Sequence, residues 1–357
     1  MRSSSGIWPI VLAGGEGRRM QAFIGSWLSE KRPKQYCTFV GRRSMLSHTW
    51  DRARALARPG HVVTVVGRGH RRFLAEMGEP SPGLVIEQPV DRGTAPGIFL
   101  PTAFVAARDP SATIVVMPSD HFVHPESNFI ALVETACRRA AEEPGRLVML
   151  GATPQWAETD FGWILPAQRQ HALPLLPVNG FEEKPDRARA ERFLARGGLW
   201  NTMIVATRAD TLWRLGQQLL PEMMRPFDAL LAELRRSPGE SSSSVARAVS
   251  RAYDRMPQAD FSRDLVQRCP EAALVLPLGD VEWSDWGRPE RVAESLRRLG
   301  KSPAFATHEW LPIPDGSAIE AVPGQPIGGE RRAPVSSVGS ARRSVTSSRP
   351  AITLPPA

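Results

Sequence analysis

The chain has 357 residues, 42% of them hydrophobic, and a net charge of +8. That length and apolar content suit one large domain or two modest ones. Cys37, Cys137 and Cys269 lie far apart and form no CxxC pair, which argues against a zinc site or a disulfide framework and fits a reducing, cytoplasmic setting. The opening Met1–Gly6 leads into only about seven apolar residues before glycines, too few for a signal-peptide core or a bilayer span. The charge is lopsided. Residues 1–80 carry fourteen Lys and Arg against five Asp and Glu, and the rest of the chain nearly cancels. Such an excess suits nucleic acid or small polyanions. No aromatic residues interleave with the arginines, and no helix-turn-helix or finger spacing occurs, so small polyanions are the preferred partners.

In chain order, the apolar run Ile7–Ala13 predicts a buried strand ending in glycines. Ser44–Arg58 has helical spacing through Met45, Leu46, Trp50, Ala53 and Leu56. His61–Gly67 is a valine-rich strand. A helix near Arg71–Met77 and a strand at Leu84–Glu87 follow. Thr94–Arg108 reads as a helix that Pro96 and Pro101 would kink or delay. Thr113–Met117 is a strand, Glu126–Glu143 a helix and Leu147–Gly151 a strand. Repeated strand–helix units predict a parallel, doubly wound sheet that binds ligands at the carboxyl ends of its strands. The second half is less regular. Strands are expected at Phe161–Pro166, Val178–Glu183, Met203–Thr207 and Leu274–Leu278. Helices are expected at Arg187–Arg196, from Ala209, and at Pro289–Leu299. Ser237–Ser244 reads as a polar surface loop. Residues 1–303 are expected to form the domain, and 304–357, rich in Pro, Gly, Ser and Ala, a mostly disordered tail.

Four constellations could carry chemistry. Gly14-Gly15-Glu16-Gly17-Arg18-Arg19 directly follows a strand. Its glycines allow backbone N–H groups to approach phosphate oxygens, and Arg18, Arg19 and Lys34 behind Pro33 add charge. The spacing is neither that of a Walker loop nor GxGxxG, and a plain glycine turn is the competing reading. Met117-Pro118-Ser119-Asp120-His121 ends a strand expected at the sheet centre. An acid there can hold magnesium, a hard ion that takes one or two carboxylates plus substrate phosphates; the alternative is a loop or capping Asp. His121 and His124 lack a visible third ligand, so His121 reads as a structural hydrogen-bonder. Asp285 in Trp283-Ser284-Asp285-Trp286-Gly287 would complete a two-carboxylate magnesium site with Asp120. Phe181-Glu182-Glu183-Lys184-Pro185 and Trp200-Asn201 offer an acid, a cation and an amide suited to a sugar phosphate, with plain surface charge as the alternative. No Ser-His-Asp order, GxSxG or kinase set is present.

The string Leu12–Arg19 followed by Pro33-Lys34-Gln35 resembles the opening of sugar-1-phosphate nucleotidyltransferases. Gln88–Pro96, Met117–His121, Phe161–Ile164, Glu183-Lys184-Pro185, Trp200-Asn201 and Trp283–Gly287, in that order, are similar to the mannose-1-phosphate guanylyltransferase family over roughly residues 7–300. The resemblance implies a Rossmann-like α/β fold with a mixed, mostly parallel sheet and helices on both faces. It implies nucleotidyl transfer from GTP to mannose 1-phosphate, giving GDP-mannose and pyrophosphate, with Mg²⁺ as cofactor. Arg19 and Lys34 would hold the triphosphate, and Asp120 and Asp285 the metal. Leu12, Ala13, Gly14, Gly15, Gly17, Arg18, Arg92, Gly93, Thr94 and Ser119 would line the nucleotide. Gly162, Glu183, Lys184 and Asn201 would hold the sugar phosphate. No isomerase-type β-barrel follows, so the short, monofunctional form is expected, without nucleic-acid or membrane partners; a homodimer is allowed. The chain departs from the family pattern in several places. Thirteen residues separate Arg19 from Pro33, about five more than usual. Met20-Gln21-Ala22-Phe23 replaces the usual string after the arginine. Gly93 replaces a common Asn, Asp160 stands where Gly is usual, and Phe261-Ser262-Arg263-Asp264 is atypical. The rival readings are another base or sugar, or a non-catalytic nucleotide-sugar-binding relative.

Overall fold

The computed structural model describes residues 6–167, 175–236 and 242–306. The elements run β1 (Ile7–Ala13), α1 (Gln21–Leu28), α2 (Met45–Leu56), β2 (Val63–Val66), α3 (Arg71–Glu76), β3 (Leu84–Glu87), α4 (Thr94–Arg108), β4 (Thr113–Pro118), β5 (Phe122–His124) and α5 (Glu126–Glu142) in the first part. They continue with β6 (Leu147–Ala152), β7 (Gly162–Pro166), β8 (Leu176–Glu183), α6 (Arg187–Ala195), β9 (Leu199–Arg208), α7 (Ala209–Leu219), α8 (Pro221–Arg236), α9 (Ser242–Asp254), β10 (Ala273–Pro277), β11 (Glu282–Ser284) and α10 (Pro289–Arg298).

Nine strands form one sheet in the order β3-β2-β1-β4-β9-β6-β10-β8-β7. Pairing is parallel from β3 through β4 and again between β6 and β10; β9 runs antiparallel between β4 and β6, and β8 antiparallel beside β10 and β7. The sheet is therefore mixed, with β8 and β9 running against the other seven strands. Strand–helix alternation alone predicts an all-parallel sheet. Between β8 and β9 the one helix is α6, and β9 enters the sheet centre against its neighbours.

Alternation along the central strands divides the core in two. Ile114 and Val116 of β4, Met149 of β6 and Val275 of β10 face one side, packed on α4, α7 and α8. Val115, Met117, Val148, Leu150, Leu274 and Leu276 face the other, packed on α5 through Phe129 and Val133. This period-2 sorting is what a sheet covered on both faces requires. Pro101 sits inside α4, where it removes one intrahelical hydrogen bond without ending the helix. Ser242–Ser244, expected in a loop, lie in α9, while 237–241 lie outside the described residues.

The lengthened segment after Arg19 is α1. Phe23 and Ile24 on this helix are buried in a separate cluster with Cys37, Phe39, Met45, Trp286 and Phe305. Each such side chain contributes about 1.5–3 kcal/mol when fully buried. Phe305 falls in the tail by composition, yet its ring packs edge-on to Phe23 at 4.8 Å, and the Ala304 N–H donates to the Phe39 carbonyl at 2.8 Å. The remaining tail residues, from 307 on, lie outside the described residues. Among the described residues no helix is long and apolar enough to cross a membrane.

Candidate active site

β1 and β4 pair in parallel with Leu12 opposite Pro118, so the segments leaving their carboxyl ends emerge side by side. The Ser119 N–H donates to the Leu12 carbonyl at 3.0 Å. The glycine loop is fixed from beneath. Buried Gln35 donates through Nε2 to the carbonyls of Ala13 and Gly15, both at 2.9 Å. Gly17 has φ 61°, which favours glycine, and a β-carbon on Gly14 would stand 2.8 Å from Gln88 Oε1 and displace that side chain. His70 closes the underside, 3.2 Å from Glu16 Oε1. The loop ends in a short turn carrying Arg18 and Arg19, both exposed.

Lys34 is the centre of the site. Its side chain is 4% exposed, and its Nζ lies 2.9 Å from Asp120 Oδ2. The same ammonium donates to the backbone carbonyls of Asp285 and, at 3.4 Å, Trp286. One cation thus ties the end of β4 to the segment after β11. β5 and β11 pair antiparallel with Trp283 opposite Val123, which sets this register. Trp286 has φ 43° and stacks on Phe122 at 4.7 Å. It is also part of the cluster that α1 fills, so the lengthened segment buttresses the acid.

Asp285 is nearly buried. Arg19 Nη2 meets its Oδ2 at 2.7 Å, while Arg291 Nη1, also at 2.7 Å, and the Gly287 N–H at 3.0 Å meet its Oδ1. Burial opposes its charge, but Lys34, Arg291 and Arg19 outweigh that and hold the carboxyl down at about 2. Asp120 is likewise held below the ordinary range: burial and Asp285 push it up, but the Lys34 ammonium outweighs them. His121 accepts from Trp283 Nε1 at 3.3 Å, and burial pushes its imidazole down to about 4 despite Asp120, so it is neutral at pH 7.

A second tier was not legible in the sequence. Arg291, in the first turn of α10, also bonds Glu158 and lies 4.8 Å from the Phe161 ring centre. Glu158 Oε1 in turn accepts the N–H groups of Thr159 and Asp160 at 2.9 and 3.0 Å. Asp160 Oδ2 meets Arg288 Nη2 at 2.7 Å and Arg19 Nη1 at 3.3 Å. These pairs join residues about 130 to 140 positions apart, and no local pattern announces them. The substitution at Asp160 is the single visible hint.

The proposed sugar-phosphate residues meet across β7, β8 and β9. Gly162 pairs with Glu183, and a β-carbon on it would lie 2.5 Å from Glu183 Oε2 and 3.2 Å from Asn201 Cβ. Burial and nearby Asp260 push the Glu183 carboxyl up to about 7, against Lys184, Arg263 and Ser262. Asn201 is more constrained than expected. Its Oδ1 accepts the Met203 N–H at 3.0 Å and its Nδ2 donates to Ser262 Oγ at 3.2 Å, leaving one N–H and one lone pair for a ligand. Lys184 is exposed, with Nζ 4.0 Å from Glu183 Oε1.

The Arg92-Gly93-Thr94 segment is held by residues between Tyr253 and Phe261. Gly93 has φ 93°, and a β-carbon there would stand 2.4 Å from the Ala259 carbonyl, so the Asn usual in the family cannot be accommodated. Thr94 Oγ1 accepts from the Phe261 N–H at 2.8 Å and donates to Asp260 Oδ2 at 3.1 Å. Arg92 reaches the Tyr253 carbonyl at 3.5 Å. Gln88, buried beside the glycine loop, donates to the Tyr253 hydroxyl at 3.1 Å. The chain itself therefore engages Arg92 and Thr94, and the atypical 261–264 string is a partner of Thr94.

Glycine loop, buried lysine and ionised carboxylates converge at the strand ends of an open α/β sheet, the arrangement of a phosphate-handling α/β protein. Residues 8–299 match the model of the nucleotidyl transferase family, and the chain belongs to that family. Over 292 residues it is 31% identical to the xanthan biosynthesis protein XanB of Xanthomonas campestris, covering 79% of this chain and 58% of XanB. Over 311 residues it is 26% identical to a mannose-1-phosphate guanylyltransferase of Escherichia coli, covering 85% of this chain and 63% of that protein. The chain thus spans about six-tenths of the length of these relatives. Among solved structures, one from Thermus thermophilus, described as a mannose-1-phosphate geranyltransferase, superposes with a TM-score of 0.66 at 23% identity, over 83% of this chain and 79% of that one. This likeness establishes the fold.

Proposed function

We propose that this chain transfers a guanylyl group from GTP to mannose 1-phosphate, forming GDP-mannose and releasing pyrophosphate. The observation that carries the reading is Lys34, a buried ammonium held between Asp120 and the Asp285 carbonyl at the carboxyl ends of the strands. The relatives named for mannose 1-phosphate support the choice of substrates.

In the reaction, a phosphate oxygen of mannose 1-phosphate attacks the α-phosphorus of GTP, and the bond to the pyrophosphate oxygen breaks. The attacking oxygen is already ionised, so no protein nucleophile or base is needed; positioning and charge neutralisation carry the rate. Lys34 supplies a fixed positive charge, pre-aligned because three oxygens hold it. Arg19, half exposed, reaches from Asp285 toward the phosphates. Glu183, when ionised, accepts sugar hydroxyl protons, with Gly162 leaving the space that the sugar needs.

Asp120 and Asp285 fit a magnesium ion. Two carboxylates leave most of magnesium's octahedral positions to substrate phosphates and water. Both acids are kept ionised, and both offer hard oxygen ligands. When bound, magnesium would neutralise charge developing on the phosphates. We assign the enzyme to the cytoplasm, where its buried cysteines, none of them in a disulfide, stay reduced.

The test is a pyrophosphate-release screen of five nucleoside triphosphates against mannose and glucose 1-phosphates. GTP with mannose 1-phosphate is expected to give the highest kcat/KM. Turnover with dTTP or UTP but not GTP overturns the base assignment. Asp120→Asn or Asp285→Asn with turnover equal to wild type overturns the metal assignment.

A further inference from the structure

Asp160 and Arg288 sit at the mouth of the site and belong to none of the roles above. Asp160 Oδ2 is shared by two guanidinium groups, 2.7 Å from Arg288 Nη2 and 3.3 Å from Arg19 Nη1. The arginines are 56% and 50% exposed and the acid 32%. The Asp160 carboxylate does not hold the loop in place. That task falls to Glu158, through the Thr159 and Asp160 N–H groups and Arg291. The Asp160 carboxylate can therefore swing away without disturbing the backbone. Arg19, Lys34, Arg288 and Arg291 face Asp120, Glu158, Asp160 and Asp285, four against four. Within that network no positive charge is in surplus, and exposed Arg18 at the end of the glycine loop adds one outside it.

We infer that Asp160 is a placeholder anion and Arg288 a polyphosphate-binding residue: an incoming pyrophosphate group displaces the Asp160 carboxylate and takes both Arg19 and Arg288. This rests on the nucleotidyl-transfer reading. The competition favours the ligand, because a pyrophosphate group brings more charge and several oxygens where Asp160 offers one to both forks. Until then the carboxylate keeps two flexible arginines ordered, which lowers the cost of arranging them when the polyphosphate arrives. Burial works against the Asp160 charge, but Arg288, Arg19 and Arg291 hold it ionised, so it is an effective competitor at neutral pH. The selectivity is for the leaving group. Arg288 binds the pyrophosphate group directly and has no part in choosing base or sugar.

The experiment is calorimetric titration of inorganic pyrophosphate, with magnesium, into the full chain and into Asp160→Asn, Arg288→Met, Arg288→Lys and the Asp160→Asn/Arg288→Met double variant. Arg288→Met is expected to weaken binding about tenfold, a loss of about 1.4 kcal/mol, with Arg288→Lys recovering part of it. Asp160→Asn is expected to tighten binding about fivefold on the wild-type background, and less than about twofold when Arg288 is absent. Where turnover is measured, the KM for the sugar 1-phosphate stays within about twofold of wild type in every variant. Arg288→Met binding pyrophosphate as tightly as wild type overturns the proposal, as does an Asp160→Asn gain that persists undiminished without Arg288. Because the probe carries neither base nor sugar, a wrong base or sugar assignment leaves these titrations unaffected. Wild-type chain that fails to bind pyrophosphate at all overturns the nucleotidyl-transfer reading itself.

Discussion

The two halves of the site are built in different ways. The phosphate corner, from β1 to β4, uses contiguous strings: the glycine loop, Pro33-Lys34-Gln35 and Ser119-Asp120. Each leaves or neighbours a parallel strand, and apart from the Lys34 bonds to the Asp285 and Trp286 carbonyls its partners lie on adjacent strand ends. The opposite wall, from Ala152 to α10, draws on residues far apart in sequence, joined by buried ion pairs such as Arg291 with Asp285 and Glu158. The first half makes a site from backbone geometry, the second from side-chain charge. Backbone-built sites tolerate surface change and fail at glycines and the central cation. Charge-built walls fail wherever one partner is removed, because a buried ion left alone is costly.

The largest effect expected from breaking this contrast is at Lys34. Lys34→Met removes the charge that both halves share, and kcat/KM should fall by at least ~10²–10³-fold in steady-state assays, the range seen when one preorganised electrostatic group is lost. Next is Arg291→Met, which takes the guanidinium from nearly buried Glu158 and leaves Asp285 to Arg19 and Lys34. Thermal and denaturant unfolding should show a loss of about 3–5 kcal/mol. An unchanged midpoint would mean that the second tier is not structural. A third change separates the substrates. Gly162→Ala pushes a methyl group into Glu183 Oε2, and should raise the KM for the sugar phosphate about tenfold while leaving that for the nucleotide within about twofold.

The smallest effect is a pH dependence. Glu183 titrates at about 7 in the folded chain, above its ordinary value, because it is buried and close to Asp260. In the proposed role its charged form serves the sugar, so the sugar-phosphate KM should fall as pH rises through 7, and Glu183→Gln should flatten that profile. The stability sign is the reverse. An acid whose carboxyl is raised on folding binds its proton more tightly in the native state, so its contribution falls as pH rises from the ordinary carboxylate range to about 7. Unfolding midpoints across that window, compared with those of Glu183→Gln, measure it.

Much of the fold could be read locally. Apolar runs and 3.6-residue spacing predict β1, α2, β2, α4, β4, α5 and β6 closely, because each buries a full face or stripe. Several elements escape such a reading. α1 lies in a segment that reads as an irregular insertion, and only its burial against Phe39, Trp286 and Phe305 stabilises it. β5 and β11 are three residues each and exist because they pair with each other. The direction of β9 is also hidden, since β-branched and apolar residues suit a central strand of either polarity.

The residue types proposed to grip phosphate and sugar were determined by the sequence alone: a glycine loop, its cations, and acids at strand ends, each marked by a short string next to an apolar run. The tertiary structure decided how those groups are charged and which are occupied. It put Lys34 between Asp120 and the Asp285 carbonyl, tied up both ends of Asn201, and required glycine at position 93 because the Ala259 carbonyl fills the space. It also brought Glu158, Asp160, Arg288 and Arg291 to the site. Local spacing encodes backbone path, whereas ion pairing between distant residues depends on strand order and direction, which emerge only when the whole sheet has formed.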